Sequence, residues 1–220
     1  VCVDGVPISS PALNVTRAMR VSVDGAPLPE ASKTRLWRYH KPRGLVTSHR
    51  DPQGRPTVFD VLPGEIGRVI SIGRLDLTSE GLLLLTNDGG LARTLELPTT
   101  GWVRRYRARV YGHPEASQLA ALGHGLTVEG VRYGQIHAGL DSQRGDNAWL
   151  TIALSEGKNR EVRRVLEYLG WSVNRLIRIA YGPFQLGKLE PGGLREVPAK
   201  VVAEQVATEA APKPDAHRRR

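Results

Sequence analysis

Two short stretches near the amino terminus share one pattern of apolar and polar positions. VCVDGVPI (1–8) and VSVDGAPL (21–28) each run Val-x-Val, then Asp-Gly, then a short apolar piece. That pattern predicts strand, tight turn, strand. Two copies are too few for a solenoid, so residues 1–34 are expected to form a small β module that leads through PEASKT (29–34) into a main body over 35–200. There the pattern changes. LWRYH (36–40) predicts a strand entering a Pro/Gly-rich loop, KPRGLVTSHRDPQGRPT, with the short apolar segment VFDVLP after it. RVISIGRLD (68–76) alternates apolar and small residues and predicts a strand ending at Asp76. Leu82–Thr86, with four leucines in a row, predicts a strand buried on both faces.

Asp88 is placed to cap a short helix through GGLARTLEL (89–97). In WVRRYRARV (102–110) Tyr106, Ala108 and Val110 fall on one face of a strand, while Arg105, Arg107 and Arg109 fall on the other. AWLTIAL (148–154) is a further apolar strand. NREVRRVLEYLG (159–170) predicts a helix, because Val162, Val165, Leu166 and Leu169 recur at i, i+3, i+4 and i+7 and Gly170 supplies a stop. Residues 201–220, rich in Ala, Pro and Glu and ending HRRR, read as a disordered tail with a basic tip. Strands outnumber helices without a clean β-α-β-α alternation. The expected class is therefore α+β, with a mixed, largely antiparallel sheet.

Composition narrows the partners. The 220 residues suit one substantial core with a small appended module. Thirty-one Lys and Arg against 22 Asp and Glu give +9, and the preponderance of Arg favours planar, bidentate anionic partners such as phosphate. A nucleic acid is the expected partner. No stretch approaches the ~18 apolar residues of a membrane span, the opening VCVDGVPISS lacks a leader's basic and apolar regions, and no basic amphipathic helix with bulky anchors suggests a membrane surface. The lone Cys2 excludes an internal disulfide framework and fits a reducing cytoplasm.

Several chemistries fall away. The six His form no H-E-x-x-H, and one Cys builds no zinc site of the usual kind. GPFQLGKL (182–189) has Leu189 where a phosphate-binding loop needs Ser or Thr. No dinucleotide fingerprint and no serine elbow occurs, so neither cofactor nor metal is expected. What remains is a basic cluster and an isolated carboxylate. EGKNREVRR (156–164) sets Lys158, Arg160, Arg163 and Arg164 at the start of the predicted helix, where exposed cations oppose the helix dipole at about 0.3–1 kcal/mol each. Glu156 and Glu161 offset part of this. The cluster reads either as a solvated face of mixed ion pairs, or as an anion site or a clamp on a buried carboxylate. Asp76 reads either as a turn residue or as a reactive group on a rigid scaffold. Gly73 permits close approach of another chain, Arg74 can reach a phosphate or base, and Ser79 and Gly81 build a tight turn into the leucine strand.

GRLDLTSEGLLLLTNDG (73–89) resembles the signature of the RsuA/RluB-type ribosomal RNA pseudouridine synthases. The resemblance extends in order through YHKPRGLVTSHRDPQGRPTVFDVLP, RRYRARV and EGKNREVRRVLEYLGWSVNRLIRIAYGPFQLGKL, covering roughly 36–190. Residues 1–34 resemble the end of an S4 RNA-binding domain without its helical first half. The resemblance implies a sheet in two halves flanked by helices, with a catalytic cleft between them. It also implies isomerisation of uridine to pseudouridine in ribosomal RNA or a pre-ribosomal particle, by a monomer, with no cofactor or metal. Asp76 matches the catalytic aspartate, Tyr106 the tyrosine packed on the flipped base, Lys158 the basic residue paired with the aspartate, and Val162 an apolar residue of the pocket wall. Arg74 matches the arginine that fills the vacated stack, and Lys41, Arg43, Arg105, Arg160, Arg163 and Arg164 are the further expected RNA contacts. The middle segments lean towards large-subunit RNA. The competing readings are a non-catalytic RNA-binding assembly factor and a glycosidic hydrolase using Asp76 and Glu80 as its carboxylate pair.

Overall fold

Asp-Gly pairs make two-residue hairpin turns because both central residues must take positive φ, and the first unit is built from two of them. The computed structural model describes residues 1–10, 12–16, 18–28, 32–97 and 100–210, the last five by backbone alone. It divides into units spanning Val1–Lys33 and Thr34–Arg220. In the first, β1 (Cys2–Val3) turns through Asp4 (φ 50°) and Gly5 (φ 82°) into β2 (Val6–Pro7), and β3 (Val21–Val23) through Asp24 (φ 52°) and Gly25 (φ 82°) into β4 (Ala26–Pro27). The four strands lie in the order β2-β1-β3-β4, all antiparallel. Part of the PEASKT linker, 29–31, lies outside the described residues.

The second unit carries β5 (Leu36–Lys41), β6 (Ile70–Ile72), β7 (Glu80–Thr86), β8 (Arg104–Tyr111), β9 (Leu126–Val128), β10 (Val131–Tyr133), β11 (Ile136–Arg144), β12 (Asn147–Leu154), β13 (Ser172–Tyr181), β14 (Phe184–Gln185) and β15 (Leu194–Glu196). Its helices are α1 (Gly89–Glu96), α2 (Ala116–Ala121), α3 (Glu161–Tyr168) and α4 (Ala199–Ala210). Nine strands form one sheet whose backbone order is β11-β12-β8-β13-β7-β5-β15, with β6 on β7 and β14 on β13; β9 and β10 pair separately. Every pairing between these strands is antiparallel except β13 with β7. This is the mixed, largely antiparallel α+β architecture expected. At the parallel junction Arg178 faces Gly81, and only glycine fits there. A Cβ on Gly81 would stand 2.3 Å from the Arg178 carbonyl oxygen, and its φ is +102°.

β7 is buried along its whole length, and its alternation feeds two cores. Leu82 and Leu84 pack with Leu91 and Leu95 of α1, Tyr181 and Phe184, while Leu83 and Leu85 pack with Trp37, Tyr39, Val58, Val69 and Leu75. Each fully buried leucine contributes about 1.5–3 kcal/mol. A third core lies under α3, where Val162, Val165 and Leu166 meet Ala108, Val110, Leu150 and Ile152. Asp88 caps α1 as expected, accepting from the Gly90 and Leu91 amides.

Two expectations need correction. β6 stops at Ile72, so Asp76 sits in a loop rather than at a strand end. Residues 201–210 continue α4 instead of a disordered tail, and 211–220 lie outside the described residues. Among the described residues no helix is long and apolar enough to cross a membrane.

Candidate active site

A loop that must hold a reactive side chain still has to anchor its own backbone, since polar backbone groups kept from water need partners. In the loop between β6 and β7 every carbonyl from Arg74 to Ser79 is taken. Arg178 Nη1 reaches the Arg74 oxygen at 3.4 Å, the Thr47 hydroxyl donates to Leu75 at 2.8 Å, and the Gly44 amide donates to Leu77 at 2.8 Å. Arg163 Nη2 donates to Thr78 at 3.1 Å. Lys41 Nζ donates to Asp76 at 3.1 Å, Ser79 at 2.9 Å and its neighbour Pro42 at 3.0 Å, while the Ser79 amide closes a turn onto Asp76. Three buried cations thus bind the loop through its main chain. Lys41 is fully enclosed; burial brings its ammonium down to about 8 from 10.5, with Asp76 and Glu80 pulling it back up. Burial likewise lowers Arg163, against an upward pull from Asp76.

The loop forms one wall of a cleft of about 500 Å³, whose other walls come from β8, residues 157–162 and β13. Asp76, Tyr106, Lys158, Arg160, Val162 and Arg74 all line it, together with Arg104 and Arg178. The Asp76 carboxylate is one-third exposed and faces Arg160 at 3.7 Å. Arg160 holds φ 50° and ψ 29°, left-handed backbone just before α3, at about 1–2 kcal/mol for a residue with a side chain. Strain of this kind collects at functional sites.

Two other carboxylates line the cleft, and both are occupied. Glu96 Oε1 accepts the Gly73 amide at 2.6 Å. Glu161 is buried, which raises its carboxyl, and its Oε2 accepts the Lys158 amide at 2.9 Å. Glu80 is outside the lining, gripped bidentately by Arg175 at 3.0 and 2.9 Å. That removes the partner on which the hydrolase reading depended. Among the described residues no group of three or more His, Cys, Asp or Glu is arranged to hold a metal ion.

The structure redistributes the expected basic residues. Lys158 lines the cleft but pairs with Glu156 at 2.6 Å, lowering that carboxyl, and donates to the Arg132 carbonyl at 2.8 Å. The cation beside Asp76 is Arg160 instead. Lys41 and Arg163 are buried staples rather than exposed RNA contacts, for Lys41 Nζ and both Arg163 Nη atoms donate to main-chain oxygens. Arg43, Arg74, Arg105 and Arg164 are exposed. Arg105, however, points from the face of β8 opposite Tyr106, away from the cleft. Two cleft cations were missed. Arg104 donates to the Ser155 and Glu156 carbonyls at 2.6 and 3.1 Å and lies over the Tyr181 ring, while Arg178 is buried with Nε on the Leu82 carbonyl at 2.7 Å. Arg104 carried a signal, since it shares the Tyr106 face of β8. Arg178 carried none beyond sitting in an apolar strand.

A family model described as RNA pseudouridylate synthase matches residues 35–168. An uncharacterized RNA pseudouridine synthase of Rickettsia prowazekii is 46% identical over 204 residues, covering 93% of this chain and 86% of the relative. The ribosomal large subunit pseudouridine synthase B of Yersinia pestis is 39% identical over 194 residues, covering 86% of this chain and 61% of the relative. Among solved structures, a pseudouridylate synthase crystal structure superposes with a TM-score of 0.70 at 24% identity, over 92% of this chain and 86% of that one, a likeness of fold.

Proposed function

The chain belongs to the RNA pseudouridine synthase family, and we propose that it isomerises a uridine of large-subunit ribosomal RNA with Asp76 as the reactive carboxylate. The large-subunit assignment rests on the name of the Yersinia relative. The assignment of Asp76 rests on one observation: of the three carboxylates lining the cleft, it alone is neither buried nor bound to a main-chain amide through its side chain.

The target nucleotide leaves its stack, at a cost of a few kcal/mol, and enters the cleft. Arg74, exposed beside it, fills the gap in the RNA. Tyr106 packs on the base. Asp76, facing Arg160, promotes cleavage of the N1–C1′ bond. The base turns, C5 bonds to C1′, the C5 proton leaves to solvent, and N1 takes a proton. No atom of the RNA is lost overall. The locked loop supplies the fixed geometry this requires, because a misplacement of 1 Å costs about a hundredfold in rate. The hairpins of residues 1–28 are read as part of an S4-like RNA-binding module.

The test is single-turnover tritium release from ribosomal RNA carrying 5-tritiated uridine, with carbodiimide mapping of the product. Asp76→Asn is expected to fold and bind RNA but release no tritium. Turnover within tenfold of wild type would remove Asp76 from the chemistry.

A further inference from the structure

The sheet of the second unit is clothed unevenly. On one face α3 and the loops around residues 42–79 cover it; on the other, α1 covers the β7 half, with Val202 of α4 in the same core. Over β8, β12 and β11 no described helix of the second unit packs on that second face. Its rows can be read from the register: Tyr111 beside Asn147, Arg109 beside Trp149, Arg107 beside Thr151. Arg107, Arg109 and Tyr111 are exposed, and Tyr111 is 53% accessible. Arg107 lies over the Trp149 ring at 4.8 Å and touches Asp141 at 3.3 Å. On β13, Arg175 extends the row of Arg109.

An open antiparallel face bearing aromatic rings between arginines is a platform for unpaired nucleotides. Rings stack on bases of any sequence, and guanidinium groups meet the phosphates between them. Tyr111 and Trp149 stand diagonally on adjacent strands, about 7–8 Å apart for such positions, close to the span between successive unstacked bases. Arg105, Arg107, Arg109 and Arg175 against Asp141, the Asp146 that accepts from the Tyr111 hydroxyl and the Glu80 held by Arg175 leave the face cationic. We propose that this open face, on the side of the sheet opposite Asp76, is a second RNA-binding surface that holds a single-stranded segment of the same ribosomal RNA outside the target loop. The proposal rests on the reading that the substrate is RNA, but not on the role of Asp76. It accounts for Arg105, whose side chain the cleft does not use.

The experiment compares two RNAs, a short stem-loop that fills only the cleft and the same stem-loop carrying a single-stranded extension. The intact chain is used as wild type, Arg109→Glu and Trp149→Leu; the leucine keeps apolar cover while removing the stacking ring. For the extended RNA each variant is expected to weaken binding fivefold or more, roughly the loss of one stacked base or one phosphate contact, and Arg109→Glu to reduce the salt slope by about 0.7. For the stem-loop both variants are expected to bind within twofold of wild type. Photo-crosslinks from 4-thiouridine in the extension are expected on β8 or β12. Equal losses for both RNAs, no loss for the extended one, crosslinks confined to the cleft, or a wild-type dimer that Arg109→Glu dissociates would each overturn the proposal. If Asp76→Asn retained full turnover, the catalytic reading would fail while these binding results stood.

Discussion

Gly81 joins the two halves of the sheet, and its replacement by alanine tests whether that junction shapes the cleft. The added Cβ would lie 2.3 Å from the carbonyl oxygen and 2.7 Å from the nitrogen of Arg178. Both are main-chain atoms, so no side chain can swing aside. Reaching ordinary contact requires β13 and β7 to part by roughly 1 Å, at about 1–3 kcal/mol for overpacking. The φ of +102° adds about 1–3 kcal/mol for any residue with a side chain. The sum, about 2–6 kcal/mol, corresponds to a fall in Tm of roughly 4–24 °C at 2–4 °C per kcal/mol for a chain of this size. The same displacement moves Arg178, which lines the cleft and holds the Arg74 carbonyl, so the rate should fall about a hundredfold in the molecules that still fold. Gly73→Ala is the control. That glycine also has positive φ, +67°, but nothing lies within 4 Å of its Cβ position, so only the left-handed cost of about 1–2 kcal/mol applies. Thermal melts beside single-turnover tritium release read both effects. A Gly81→Ala protein melting within 2 °C of wild type, or no less stable than Gly73→Ala, would refute the reasoning.

Further outcomes follow from the cations around the loop. Lys41 has its folded pKa below its unfolded one, about 8 against 10.5, so its burial penalty is fully present below pH 8 and is relieved as pH rises towards 10.5. Wild type should therefore gain about 2 kcal/mol on Lys41→Met between pH 7 and pH 10, measured by denaturant unfolding; a constant difference would contradict this. Over the same range the tritium-release rate should fall, because a neutral amine has two protons for three carbonyls. Arg160→Met should slow release far more than Lys158→Met, whose half-exposed pair with Glu156 is worth about 0–1 kcal/mol of stability; the reverse order would restore Lys158 as the partner of Asp76. Tyr106→Phe should bind RNA normally and lose rate only if the hydroxyl moves a proton, whereas Tyr106→Ala should lose base positioning too, as stacking of a fluorescent base analogue would show.

What the sequence determined by itself was local. Asp-Gly pairs dictate positive φ and hence both hairpins of the first unit, Asp88 followed by Gly-Gly-Leu dictates a capped helix, and the alternation of Arg105 to Val110 dictates which side of β8 meets the core. These features depend on neighbours within a few residues, where spacing is geometry. The four leucines announced a buried strand but not that alternate ones serve different cores. Only the tertiary structure decided how the charges were shared. Lys41 and Arg163 look like surface cations in the sequence, and become loop anchors because Asp76, Ser79 and Thr78 come to lie beside them from 35 to 85 positions away. Lys158 and Arg160 are two residues apart and both basic. The left-handed backbone at Arg160, set by the turn entering α3, puts one beside Asp76 and leaves the other with Glu156. Glu80 could have been a second reactive carboxylate until β13 brought Arg175 to it across 95 positions. Burial faces repeat along a chain and can be read from it, whereas ion-pair partners are chosen by whichever distant strand arrives.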